Sequence, residues 1–261
     1  MKRTNKHSKI KSRQKEILIL LYKFRYLNRK QIQPLLGHKH HRLIQEWLND
    51  LVFKKLIIQD YDNKLAPQPA IYSLDNKGKR YLKKLNDLKI KPLNRIWRVT
   101  KYKDQLKTHC LLLGDIYLSL LDLIKKNKVV LDFRTKTELY GMLHLISPSP
   151  DAFFALKDKA GNAKRYFLDI FDDVPPILMR RRIKKYFEYF NSDEWQDNAN
   201  QPFPEVILVC PNQRLKSHLN FFIQNKLSDD SELSFYLTTN EEIETIGMGP
   251  KALQKVHSKN E

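Results

Sequence analysis

Apolar residues recur at helical spacing between Gln14 and Tyr26, where Ile17, Leu18, Leu20, Leu21 and Phe24 share a side, and this predicts a first helix with Ser12 placed to cap its start. Asn28-Arg29-Lys30-Gln31 has the form of a capping box, a side-chain acceptor followed three residues later by Gln, and predicts a short helix carrying Ile32, Leu35 and Leu36 that Gly37 stops. From Lys39 to Phe53 the apolar positions 43, 44, 47, 48, 51 and 52 follow the pattern of a core face, leaving Lys39, His40, His41, Arg42, Gln45, Glu46 and Asn49 outside. Leu56 to Asp60 and Ile71 to Leu74 read as two strands of a hairpin with Asp62-Asn63 at its turn. Asp75 then caps a helix over 76–84 whose outer positions are basic.

Residues 89–107 are polar and basic with little periodicity, which predicts a linker. Beyond it the pattern predicts a helix from Thr108 to Lys126, then strands over 129–133, 151–156 and 165–171, the last two joined by a hairpin-like connection. A helix over 177–189, a strand over 205–210, a helix over 214–225 and a strand over 233–239 follow. This order implies a mixed sheet flanked by helices, with helical crossovers between the later strands. The expected fold class is therefore α+β. A basic arm (1–13) precedes a winged helix-turn-helix (14–88), the linker (89–107), an α/β domain (108–240) and a flexible tail (241–261).

Charge sharpens this picture. The 261 residues hold 48 Lys and Arg against 29 Asp and Glu, a net charge of +19, and the excess reads as spread along the chain rather than confined to a tail. Such a field favours polyanions, nucleic acid first among them. On the outer face of the third helix, Arg42 and Gln45 are of the types that pair with guanine and adenine edges. The helix start, with Lys39, His40 and His41, offers donors to phosphate. Arg29 and Lys30 on the preceding helix and Lys64 at the hairpin tip complete the expected contacts to double-stranded DNA. His38, His40 and His41 do not read as a metal site, because neighbouring helical side chains diverge and no Cys or carboxylate completes a tetrahedral set nearby.

Other classes lack their signatures. No G-x-x-x-x-G-K-[ST], G-x-G-x-x-G or G-x-S-x-G occurs, which removes the common phosphate-cradling and nucleophile-elbow motifs. Tyr186 and Tyr189 invite a relaxase reading, but no His-x-His motif accompanies them, so aromatic packing is their expected role. Cys110 and Cys210 sit in apolar runs outside any C-x-x-C pair and read as buried thiols of a reducing cytoplasm. No run approaches the length of a membrane span, and the polar start does not read as a signal peptide. A cytoplasmic protein without membrane contact is the expectation.

In the second half, Pro150-Asp151 opens one strand and Leu168-Asp169-Ile170-Phe171 ends the next. Two carboxylates on adjacent strands, with Glu138 upstream, are what a divalent metal needs beside a scissile phosphate. This pattern resembles the PD-(D/E)xK nuclease-like fold, in which Asp151 and Asp169 match the two acidic positions while Phe171 stands where that fold has lysine. Lys184, on the following helix with Arg180, Arg181, Arg182 and Lys185, is the first candidate for a migrated lysine; otherwise Arg180 and Arg181 bind phosphate. Across about residues 14–240 the chain resembles the replication-relaxation family of plasmid and mobile-element proteins. The resemblance is carried by Gln14 to Tyr26, Ala70-Ile71-Tyr72-Ser73-Leu74, Thr137-Glu138-Leu139, Pro150-Asp151-Ala152-Phe153, and Tyr166-Phe167-Leu168-Asp169 followed by Lys184-Lys185-Tyr186.

The resemblance implies DNA handling in plasmid replication or transfer, with replication or conjugation proteins as further partners and a homodimer as an allowed arrangement. With Phe171 where lysine is expected, the second domain is expected to bind DNA or a partner without catalysis and to need no cofactor. Two alternatives stand beside it. One is a Mg2+- or Mn2+-dependent DNA nuclease that uses Asp151 and Asp169 as ligands; the other is a dimeric transcriptional repressor.

Overall fold

The helix expected around Ile17 forms as α1 (Ser12–Phe24), with Lys11 rather than Ser12 at its N-cap. Its start is set by the buried Gln14, whose side-chain oxygen accepts the Lys11 backbone N–H at 3.0 Å. The computed structural model describes residues 9–61, 69–85, 103–127, 129–172, 174–229 and 231–259. It divides into two compact units, Met1–Thr100 and Lys101–Glu261.

In the first unit α1 ends at Arg25, whose φ of 71° turns the chain out of the helix. Tyr26–Asn28 then forms β1, a three-residue strand that the apolar pattern does not announce. The capping box forms as expected: Gln31 N–H donates to Asn28 Oδ1 at 3.0 Å, Asn28 N–H donates to Gln31 Oε1 at 3.2 Å, and α2 (Arg29–Leu35) follows. Past Gly37, α3 runs from His41 to Phe53. Its buried face is narrower than the apolar pattern suggests. Ile44, Leu48 and Leu51 are fully buried, Trp47 and Val52 are partly covered, and Leu43 is exposed. A polar tie fixes α3 to α1: Asp50 Oδ2 accepts from Gln14 Nε2 at 2.5 Å and from Lys54 Nζ at 2.6 Å.

The hairpin strands are β2 (Ile57–Asp60) and β3 (Ile71–Leu74), paired antiparallel with Ile57 opposite Leu74. β1 pairs with the other edge of β3, giving the order β1-β3-β2. This succession of elements is the one expected of a winged helix-turn-helix. Helix α4 (Asn76–Lys84) starts at Asp75, which caps it. Gly78 lets α4 approach the α3–β2 connection, because a Cβ there would collide with the Leu56 carbonyl oxygen. Residues 1–8 of the expected arm, most of the linker, Asp62-Asn63 and Lys64 lie outside the described residues, while Ser12 and Arg13, expected in the arm, belong to α1.

The second unit opens with α5 (Lys103–Asn127), which begins five residues before the expected Thr108. Residues 103–107 therefore belong to a helix and not to a linker, with Asp104 in the first turn, where the helix dipole favours an acid. Strands β4 (Val130–Thr135), β5 (Ala152–Lys157) and β6 (Ala163–Ile170) form an antiparallel meander, with α6 (Lys136–Leu139) between the first two. Helices α7 (Pro176–Asn191) and α8 (Glu194–Ala199) lead to β7 (Glu205–Cys210), and α9 (Gln213–Gln224) leads to β8 (Phe235–Thr239). Both later pairings are parallel, as the helical crossovers require. The core combines Met179, Ile183 and Tyr186 of α7 with Phe167, Val206, Leu208 and Phe235 of the sheet and Leu219 and Ile223 of α9.

The expected tail is structured instead. Thr239 caps α10 (Asn240–Ile246) in a capping box with Glu242, and β9 (Gln254–Lys255) pairs with β8 as the last of six strands. Met248, Ala252 and Val256 are buried, so sparse apolar residues among polar ones anchor this segment. Met248 N–H also donates to Ser119 Oγ on α5 at 2.5 Å.

Candidate nucleic-acid interface and paired carboxylates

The outer face of α3 carries His41, Arg42, Gln45, Glu46 and Asn49, and with Arg29 of α2 they line a shallow depression of about 450 Å³. His41, Arg42 and Glu46 are exposed and make no hydrogen bond or ion pair among the described residues. Gln45 is oriented: its Nε2 donates to Asn49 Oδ1 at 2.9 Å and lies 3.4 Å from the buried Tyr72 hydroxyl. Burial raises the pKa of Tyr72, so it stays a neutral phenol. Lys30 and Lys39 are exposed outside this depression. His40 is the N-cap of α3, and its N–H donates to His38 Nδ1 at 3.2 Å, while the His38 ring packs edge-on against Trp47 at 5.1 Å. His38 and His40 therefore shape the turn, and only His41 of the three neighbouring histidines joins the depression.

Charge is partitioned between the units rather than spread along the chain. Residues 1–100 hold 25 Lys and Arg against 7 Asp and Glu, whereas residues 101–261 hold 23 against 22. Nearly all of the net charge thus belongs to the part that carries α3.

In the second unit, sheet register brings the two carboxylates together. Thr135 faces Ala152 across β4 and β5, and Ala152 faces Leu168 across β5 and β6, so Lys136, Asp151 and Asp169 meet at one end of the three strands. Asp151 is 7% exposed and Asp169 5%. Asp151 Oδ1 accepts from Lys136 Nζ at 3.1 Å and lies 3.4 Å from His109 Nε2, while Oδ2 accepts the Ile170 N–H at 2.9 Å. His109 Nδ1 lies 3.0 Å from Asp172 Oδ2. Asp169 Oδ2 accepts from Arg182 Nε at 2.6 Å and from the Tyr186 hydroxyl at 2.8 Å, and Oδ1 from Arg182 Nη2 at 3.3 Å. Arg182 Nη1 also donates to the Pro148 carbonyl at 2.6 Å.

These contacts set the charge states. Burial opposes ionisation of Asp151, but Lys136 and His109 outweigh it and hold its carboxyl far below the usual range. Burial likewise opposes charge on His109, yet Asp151 and Asp172 push its pKa up to about 10. Asp151 also raises the pKa of Lys136. Burial, reinforced by Asp169, raises that of Tyr186 well above a free phenol. Three acids, Asp151, Asp169 and Asp172, thus meet three cations, Lys136, Arg182 and His109.

Every oxygen of Asp151 and Asp169 faces an N–H or O–H donor, and a divalent ion would have to compete with these partners. Among the described residues, no group of three or more His, Cys, Asp or Glu side chains is arranged to hold a metal. Glu138 is engaged elsewhere: its Oε2 accepts the Thr135 N–H at 2.9 Å in the α6 capping box. Lys184 is exposed on α7 and makes none of the bonds to the acids, so the lysine facing Asp151 is Lys136. Arg181 is exposed, Arg180 lies over the Phe222 ring, and Asp173 is outside the described residues. Tyr189, whose hydroxyl donates to the His144 carbonyl at 2.6 Å, is a core residue like Tyr186. The T-x-x-E spacing that identifies Glu138 as a cap is visible in the sequence, as is the charge partition. The roles of Lys136 and His109 depend on strand register and helix placement and carry no local signal.

Among the described residues no helix is long and apolar enough to cross a membrane. No curated protein matches the chain. A family model described as Replication-relaxation matches residues 18–206, well over half of the chain, and the protein belongs to that family.

Proposed function

From this membership, which points to a role in plasmid or mobile-element replication, we propose that the protein is a sequence-specific double-stranded DNA-binding protein acting in replication or transfer of such an element. α3 docks in a major groove. Arg42 and Gln45 read base edges, Arg29 and His41 flank them, and Lys30 and Lys39 meet phosphates. The observation that carries this reading is the α3 outer face: among the described residues its Arg42 head has no protein partner, while Gln45 is held in place by Asn49 and Tyr72. The charge of residues 1–100 supplies the sequence-independent attraction that brings duplex and protein together.

The second unit, close to neutral and with its paired acids satisfied internally, serves as a non-catalytic module for a replication or conjugation protein or for a second copy of the chain. The test is binding of the full chain to duplexes from the element's replication and transfer origins. Specific binding there that Arg42→Ala reduces toward the non-specific level is the expected result. Equal affinity for origin and unrelated duplexes would overturn the assignment of sequence readout. Magnesium- or manganese-dependent nicking lost in Asp151→Ala and Asp169→Ala would overturn the non-catalytic second unit.

A further inference from the structure

The first unit carries a second concave surface, away from the α3 readout face. It is a groove of about 730 Å³ between the segment before α1, the α3–β2 connection and α4. Lys9, Lys77, Arg80 and Lys84 stand around it, and Ile10, Leu56 and Tyr81 supply an apolar floor. No acid lines it. The fifth cation, Lys54, is already neutralised by Asp50 at 2.6 Å, and Lys77 leans over the rim to donate to the Lys54 carbonyl at 3.0 Å. Lys9, Arg80 and Lys84 have no acidic partner among the described residues.

We propose that this groove binds a single strand of nucleic acid, separately from the duplex site on α3. The ligand must be a polyanion, because the rim is cationic throughout. It must also carry apolar faces, because the floor is aliphatic and aromatic. A single strand offers both, its phosphates to the rim and a base or sugar to Tyr81 and Ile10, whereas a duplex hides its base faces in the stack. Position separates the two sites as well. Lys54 and Leu56 lie at the C-terminal end of α3, about 18 Å along the helix axis from Arg42, so the groove floor and the readout residues are separate surfaces of the unit. The wall that closes the groove is close-fitting, since Gly78 brings α4 against the Leu56 backbone.

The test uses the full chain and a fluorescein-labelled deoxythymidine oligomer, with an unlabelled duplex as the control ligand. The triple substitution Lys77→Gln, Arg80→Gln and Lys84→Gln is expected to weaken oligomer binding at least tenfold. It should also lower the log–log salt slope by about two, since each lost phosphate contact on a single strand removes roughly 0.7 of slope. Tyr81→Leu is expected to weaken it about tenfold with the slope unchanged. Duplex affinity should match that of the unsubstituted protein in Tyr81→Leu and should fall far less than oligomer affinity in the triple variant, which loses three charges from the general attraction; this also shows that both are folded. The proposal is overturned if both variants bind the oligomer normally or lose duplex and single strand in parallel. It is also overturned if polyglutamate displaces the oligomer as effectively as unlabelled oligomer of equal charge, which would mark the groove as a site for an acidic peptide. None of these outcomes depends on whether α3 reads sequence, and loss of sequence preference in Arg42→Ala leaves the groove's test unaffected.

Discussion

Replacing Arg182 by Met removes the guanidinium from a carboxylate that is 5% exposed and leaves Asp169 with the Tyr186 hydroxyl alone. A buried ion pair that loses one partner costs about 3–5 kcal/mol, because the remaining charge stays desolvated and uncompensated. Asp169→Asn leaves the Arg182 guanidinium, 11% exposed, as the uncompensated charge and should cost a comparable amount, about 3–5 kcal/mol. The double variant should then be more stable than the sum of the single losses predicts, with a coupling of about 2 kcal/mol that isolates the pair from the other Arg182 contacts to Pro148 and the Tyr186 ring. Urea unfolding followed by circular dichroism reads this directly. With a slope of roughly 1–3 kcal/mol per molar urea, Arg182→Met should lower the midpoint of the second unit's transition by about 1–5 M. A metal-binding acid behaves in the opposite way: its removal relieves repulsion, and Asp169→Asn would leave stability unchanged or raise it. Arg182→Met within about 0.5 kcal/mol of the unsubstituted protein would refute the ion-pair account.

Further outcomes follow from the same contacts. Gly78→Ala should raise α4 propensity by about 1 kcal/mol in isolation, but collision with the Leu56 carbonyl reverses the sign; a melting temperature at or above that of the unsubstituted protein would contradict the close approach. Because folding raises the His109 pKa to about 10 from its ordinary 6.5, the stability it contributes is fully present below about pH 6.5 and is lost as pH rises through about 10. His109→Gln should therefore be less stable at neutral pH and flatten the decline toward pH 10, and an unchanged pH profile would remove His109 from the network. Millimolar manganese should leave the melting temperature of the second unit unshifted, whereas a saturable rise would mean that Asp151 and Asp169 remain open to a metal.

Local signals were readable where the physics is local. Asn28 and Gln31 satisfy one another across a single helical turn, so their capping box is legible as four letters, and so is the outer face of α3, since burial of Ile44, Leu48 and Leu51 dictates which residues turn away. The β5–β6 hairpin is equally plain from two apolar runs around Asp158 to Asn162, where Gly161 adopts a φ of 90°. β1 is invisible because three residues carry no period, and only the left-handed Arg25 and the free edge of β3 make them a strand. The C-terminal segment reads as a tail because Met248, Ala252 and Val256 are spaced without helical or strand periodicity, yet each is buried. At the paired acids the sequence shows Asp151 and Asp169 but hides what they bind. Lys136 is fifteen residues from Asp151 and reaches it through the β4–β5 register, while His109 arrives from α5. Glu138, read from the sequence as an upstream acid for a metal, is instead the capping residue of α6.

The most direct test of the account is the salt dependence of binding by the full chain to its origin duplex, compared between the unsubstituted protein and Arg42→Ala. If the first unit grips phosphates and Arg42 reads bases, the unsubstituted protein has a log–log slope of about −5 to −7, as expected for some five to eight neutralised phosphates. Arg42→Ala should lose roughly 1–3 kcal/mol of preference for the origin with little change in non-specific affinity. A flat salt dependence, or an unchanged preference in Arg42→Ala, would contradict it.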